Sequence, residues 1–237
     1  MTFSILARDA QTGRLGGAAA TGSLCVGGWV LRGEADAGMS ASQGTAPSTL
    51  WGTGALARMH DGETAAESVA AMVRPDTGRA HRQLSALDRA GGTGAFTGRD
   101  SIPACGARHH PGLVVTGNML AHEAVLDAIA DGFLSANGSF EERLIAALLA
   151  GQAAGSDSRG LQSAALLVVG ADEPPLTLRI DYDPDPLTAL RALHARARSS
   201  PYADWCGVVP TLNDPHRSLP DVAADPEEAA AQAAGNG

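Results

Sequence analysis

The sequence predicts an α+β fold with two antiparallel sheets between helix layers, an arrangement that a four-layer αββα sandwich fits. Three observations predict it. The chain opens on a β-hairpin. Later strand pairs are separated from it and from one another by pairs of helical segments. A late run, Ala164-Ala165-Leu166-Leu167-Val168-Val169, is apolar enough for a buried strand.

In the first strand Phe3, Ile5 and Ala7 alternate with Ser4, Leu6 and Arg8. Asp9 to Arg14 is a turn cluster, and Leu15 to Thr21 is the returning strand, built of small residues. Ser23 to Val30 reads as a Gly-rich loop into a short strand, and Ala37 to Gln43 as another strand. Helices are expected from Pro47 to about Met59 and from Thr64 to Val73, the latter stopped by Pro75-Asp76. Gln83 to Asp88 and Thr93 to Thr97 form a second hairpin. Gly112 to Thr116 is a strand. Gly117-Asn118-Met119 then reads as the turn before a helix from about Ala121 to Ser135, followed by a helix from Phe140 to Ala150. A polar loop, Gly155 to Gly160, feeds the strand Gln162–Val169. Leu176 to Tyr182 is the last strand and Pro186 to Arg198 the last helix. These elements make one domain over residues 1–198. Residues 199–237 form an extension in which Trp205, Val208 and Val209 are expected to dock back, with a mobile acidic tail from about residue 221.

Of 237 residues, 44% are hydrophobic, enough for a substantial core, while aromatics are only 4% and Gly numbers 29, so the packing relies on small residues. The net charge of −9, with no long basic stretch, argues against nucleic-acid binding. No apolar run reaches a membrane-spanning length, and the start lacks the pattern of a secretory signal. Cys25, Cys105 and Cys206 read as free thiols of a reducing compartment, so a cytoplasmic location is expected.

Thr2 is the first candidate for chemistry. Removal of Met1 would leave a terminal Thr, which carries nucleophile and base on one residue. Its α-amine, with a reference pKa of roughly 7.7–8.0, is partly neutral near pH 7, where a general base works well. Gly117 and Asn118 could supply donors to an oxyanion, or could simply cap a helix. Asp157 and Arg159 could hold the terminal amine and a substrate carboxylate, respectively, or could form a surface turn with a local ion pair. Gln43 is either a donor to substrate or a polar core position.

The segments Thr2-Phe3-Ser4-Ile5-Leu6-Ala7-Arg8-Asp9, Gly78 to Gln83, Gly117-Asn118-Met119-Leu120 and Asp157-Ser158-Arg159-Gly160-Leu161-Gln162-Ser163-Ala164-Ala165 resemble an uncharacterised prokaryotic family. Its members are classed as similar to the N-terminal-nucleophile (Ntn) hydrolases, which include proteasome β subunits. The resemblance covers about residues 1–195. It implies an amidohydrolase acting on a small amide or peptide-like bond, without cofactor or metal, with Thr2, Asn118 and Asp157 as catalytic groups. Gln43, Gly117, Arg159 and Gln162 are then the substrate contacts, and a homo-oligomer is expected. The proteasome-type catalytic Lys has no counterpart, because the chain contains no Lys; Arg32 lies in roughly its region and stays protonated. Two other readings stand beside this one: a binding or structural protein on the same fold, and a Ser or Cys hydrolase independent of the terminus. Cys105, His109 and His110 lack a second cluster to complete a metal site.

Overall fold

The structure is a computed structural model that describes residues 2–155 and 160–219. Ten strands and seven helices are formed among these residues. The opening hairpin is β1 (Thr2–Arg8) and β2 (Leu15–Thr21). A four-residue helix, α1 (Val26–Trp29), occupies the segment expected to be a loop, and β3 (Leu31–Glu34) and β4 (Gly38–Gly44) follow. Next come α2 (Thr49–His60), α3 (Ala65–Val73), β5 (Arg82–Asp88) and β6 (Thr93–Thr97). Thr64 and Glu67 cap α3 reciprocally, which fixes its start.

β7 (Gly106–His110) is a strand that periodicity misses. It lies at the sheet edge, so Arg108, His109 and His110 need no apolar alternation. Pro111-Gly112, with Gly112 at φ 67°, turns it into β8 (Leu113–Asn118). Gly117 and Asn118 are therefore strand residues rather than a helix-opening turn. The next helix, α4 (Ala124–Ser135), begins only six residues after Asn118. The remainder is α5 (Phe140–Ala153), β9 (Ser163–Val169), β10 (Leu176–Ile180), α6 (Pro186–Ala197) and α7 (Tyr202–Cys206).

All strand pairs are antiparallel and make two sheets, β10-β9-β2-β1-β8-β7 and β3-β4-β5-β6. Strand alternation sorts the apolar residues into three cores. Phe3, Ile5, Ala18, Ala20 and Val115 join α4, α5 and α6 on one face of the larger sheet. Leu6, Ala19, Val114 and Leu167 on its other face meet Leu31, Met39, Ala41 and Leu87 of the smaller sheet. Leu84 and Ala86 join α2 and α3. Gly16 and Gly17 leave room for the first two cores: a Cβ on Gly16 would lie 2.7 Å from Phe140 and Leu144, and one on Gly17 2.9 Å from Leu6.

Beyond α6, docking of the extension is carried by Asn213. Its N–H donates to Ala171 O at 2.9 Å and its side chain to Asp172 at 2.8 Å. Trp205, expected to dock, is 56% exposed and packs on Tyr202. The acidic tail from residue 221 lies outside the described residues. No helix among the described residues is long and apolar enough to cross a membrane.

One buried ion pair ties the first hairpin to α5. Arg14 Nη1 donates to Glu141 Oε1 at 2.8 Å, and the Glu141 side chain is only 2% exposed. Burial pushes the Glu141 carboxyl up, but its own backbone N–H and the Arg14 guanidinium outweigh that and hold it below 4.5. A carboxyl depressed in the folded state contributes stability above its unfolded pKa and loses it as the pH falls through the folded value. The stability advantage of the wild type over Glu141→Gln should therefore be full at neutral pH and shrink progressively below about pH 4.5. Urea unfolding of both proteins between pH 7 and 3 measures it.

Candidate active site

The register of the larger sheet places four polar residues in one row at the end where β1 begins. Asn118, Thr2, Thr21 and Ser163 are direct cross-strand neighbours on β8, β1, β2 and β9. Directly opposed residues share a face and hold their Cβ atoms ~5 Å apart. Phe3 and Ile5 face the helices, so Thr2 and Ser4 face the smaller sheet. Thr2 is half-buried, and its Oγ1 donates to Thr21 Oγ1 at 3.0 Å. Ser163 closes the row, donating to Ser23 O at 2.7 Å and accepting from the Val26 N–H at 3.1 Å. It thereby anchors the turn that leads from β2 into α1.

A matching polar row, Gln43, Gln83 and Thr97, lies on β4, β5 and β6 of the facing sheet. Gln83 is fully buried, and its Nε2 reaches Gly117 O at 3.0 Å, Gly106 O at 3.1 Å and Thr97 Oγ1 at 2.8 Å. Carbonyl oxygens only accept, so this end of the Gln83 amide must be the nitrogen. Its Oε1 must then accept, and it does so from Gln43 Nε2 at 2.7 Å and Asn118 Nδ2 at 3.1 Å. The other Gln43 N–H goes to Thr2 O at 3.3 Å, and Gln43 Oε1 accepts from Ser4 Oγ at 3.0 Å. Ser4, Thr116 and Ser85 continue the network through hydroxyl contacts of 3.0 and 3.3 Å. One buried glutamine thus fixes the amide orientation of both Gln43 and Asn118 and links them to Thr2.

The structure brings Thr2, Asn118, Gln43 and Gly117 together, each with a definite task. Asn118 is 2% exposed and uses one N–H on Gln83, leaving its second N–H and Oδ1 without a partner among the described residues. Both N–H groups of Gln43 point inward, to Thr2 O and Gln83 Oε1. Gly117 is buried in the ladder opposite Phe3, and its carbonyl holds Gln83; a Cβ there would lie 2.9 Å from Leu120. The Gln162 N–H donates to Thr21 O at 2.8 Å, which sets it two strands from Thr2 at the same end of the sheet. Asp157 and Arg159 lie outside the described residues.

Arg32 does not take the place of a catalytic lysine. It is opposite Ser40, whose hydroxyl donates to Gly52 O in α2, so Arg32 faces away from the larger sheet. The position facing Thr2 from β4 is Gln43. Sequence reading also missed Gln83, Thr97, Thr116 and Thr21. The available signal was a polar residue at every second position, Gln83 and Ser85 on β5 and Gln43 on β4, within otherwise buried strands.

No metal site forms around Thr2 among the described residues. Cys105, His109 and His110 do not converge: His109 and His110 are consecutive on β7, and His109 Nδ1 is 2.9 Å from Thr93 Oγ1. Glu34, Asp36 and His60 bring donor atoms within 4.8 Å of one another, at the opposite end of β4 from Gln43. Burial beside Glu123 pushes the Cys105 thiol up, which makes it a weak nucleophile.

Residues 2–190 match the family model of DUF1028, a family of unknown function. The crystal structure of protein SPO2555 from Silicibacter pomeroyi, assigned to the same family model, is 50% identical with a TM-score of 0.89, covering 92% of this chain and 99% of that one. Anbu (ancestral β-subunit) from Yersinia bercovieri aligns at 13% identity with a TM-score of 0.42, over 85% of this chain and 96% of that one. No curated protein matches the chain. With four-fifths of its length matched and a half-identical relative of the same fold, the chain belongs to the DUF1028 family.

Proposed function

We propose that the chain is an N-terminal-nucleophile amidohydrolase built on a four-layer αββα sandwich, cleaving a small amide or peptide-like bond through Thr2. The observation that carries this is the position of Thr2: first residue of a central strand, half-buried at the end of the larger sheet where the two polar rows face each other, over a buried network that fixes its neighbours. Removal of Met1 frees the α-amine. In the first step Thr2 Oγ bonds to the amide carbonyl carbon and its proton passes to that amine. The ammonium then protonates the leaving nitrogen as the C–N bond breaks, leaving an ester on Thr2. Water activated by the amine attacks the ester, releasing the acid and restoring Thr2. The second N–H of Asn118 is the donor available to the oxyanion. Asp157 is assigned to the amine, and Arg159 and Gln162 to the substrate. A small-molecule substrate, a cytoplasmic location and a homo-oligomer belong to the same reading.

A second reading, a binding protein on this fold without catalysis, is favoured by one observation. Arg32 faces away from Thr2, and no Lys exists to replace it. The two readings separate on the pH profile of acylation by a β-lactone probe. The hydrolase reading requires labelling that rises with pH through the titration of the α-amine, near 7.7–8.0, and that stops when the terminus is acetylated. A binding protein gives no adduct at any pH.

A further inference from the structure

The geometry points to an oxyanion-binding site at Gly27-Gly28, where the guanidinium groups of Arg32 and Arg179 converge and which takes the carboxylate or phosphoryl group of a small molecule. Arg32 reaches the site from β3: its Nη2 donates to Gly28 O at 2.9 Å and its Nη1 to Leu31 O at 2.7 Å. Arg179 reaches it from β10. A Cβ built on Gly27 would lie 2.7 Å from Arg179 Cγ, and one on Gly28 3.0 Å from Arg179 Nη2. The two glycines are what lets two cations settle on one helical turn.

The charges there do not balance. Arg179 has one acidic partner, Asp181, which accepts from its Nε at 3.2 Å and its Nη2 at 2.9 Å. Arg32 is half-buried and has no carboxylate within 4 Å among the described residues. The groups nearest it on β4 and α2, Ser40 and Gly52, are neutral, and Glu34 on its own strand makes no ion pair with it. Burial and the positive charge of Arg179 both push the Arg32 guanidinium down, the direction expected of a cation that lacks a counterion. A partly desolvated cation held only by carbonyl oxygens, beside a second cation, is stabilised when an oxyanion bridges the two forks.

A hollow of about 680 Å³ between β10 and the α6–α7 corner also touches Arg179, but its floor of Leu178 and Leu193 lies on the α6 side of β10 and its lining includes neither Arg32 nor the two glycines. The ligand group assigned here is therefore the oxyanion itself. The site does not depend on the Thr2 chemistry and stands or falls without it.

The test uses the full chain, titrated with inorganic phosphate and separately with benzoate, sodium chloride holding the ionic strength constant. Thermal shift and calorimetry read binding. Saturable binding of either anion is expected, weakened at least ~10-fold in Arg32→Met and in Arg179→Met and unchanged in Thr2→Ala; each methionine keeps the aliphatic stem and removes two donors or more. Tighter binding of benzoate than phosphate assigns a carboxylate; the reverse order assigns a phosphoryl group. Should either methionine variant fail to fold, Arg32→Lys and Arg179→Lys take its place, with the same weakening expected because a point charge loses the fork. No saturable binding in the wild type, or equal affinity in wild type and folded variants, overturns the site.

Discussion

Thr2→Ala is expected to abolish acylation by an amide-like or β-lactone probe, by at least ~1,000-fold, while leaving the protein folded. A thousandfold loss corresponds to about 4 kcal/mol of barrier, the scale of losing a nucleophile outright. The stability cost should be small. Thr2 is half-buried, and its hydroxyl makes one hydrogen bond, to Thr21 Oγ1. Losing one such bond costs about 1 kcal/mol, a melting shift of about 2–4 °C in a domain of this size. Thr2→Ser keeps an oxygen in the same place and should retain a measurable rate. The contrast between the two substitutions separates chemistry from packing. If Thr2→Ala labels as fast as wild type, the nucleophile is elsewhere.

Gln83→Leu is expected to destabilise the fold more than any single change at Thr2, by about 4 kcal/mol, read as a lower urea midpoint. Leucine fills much of the same volume but makes none of the hydrogen bonds. It removes the side-chain donor to the Gly106 and Gly117 carbonyls and strands one N–H each of Gln43 and Asn118 in the buried layer. Each stranded buried group costs about 1–3 kcal/mol, reduced where the layer can relax or admit water. The same change frees the Asn118 amide to rotate. A folded Gln83→Leu protein should therefore also acylate more slowly than wild type, since the Asn118 N–H proposed as the oxyanion donor would no longer be fixed. Thr97→Val removes one acceptor of a shared N–H and should cost only about 1 kcal/mol.

Much of this architecture is legible in the sequence because local chemistry dictates it. The opening hairpin follows from the alternation of Phe3, Ile5 and Ala7 and from the Asp9–Arg14 turn, where Asp9 accepts from the Thr12 N–H and hydroxyl. The start of α3 follows from the Thr64–Glu67 capping pair, and the helices and strands around it fall within a few residues of their expected places. What stayed hidden depends on pairing across distance. β7 carries Arg108, His109 and His110 and becomes a strand only because β8 lies beside it. Gly117 and Asn118 look like a helix-opening turn until β1 pairs with them. The role of Gln83 cannot be read from its neighbours, because it depends on which strand face meets the other sheet. Arg32 fails as a lysine substitute for the same reason: one step along β3 changes the face on which a side chain stands.

The candidate site was legible in its first residue and not in the network around it. Thr2 declares itself by its position before a strand, and Asn118 by a segment shared with the resembled family. Gln83, which holds Asn118, ends one of the resembling segments without any sign there of its role, and Thr97, which holds Gln83, carries no motif at all. They become visible once the two polar rows are set face to face.

The central claim is that Thr2, as a free terminal residue, is the nucleophile. Its most direct test is the intact mass of the protein isolated from its own cells, before and after a β-lactone probe, with the adduct mapped by peptide sequencing. The account predicts a mass lacking Met1 and a single adduct on Thr2. Retention of Met1 throughout, with no adduct on Thr2, would contradict it and favour the binding-protein reading.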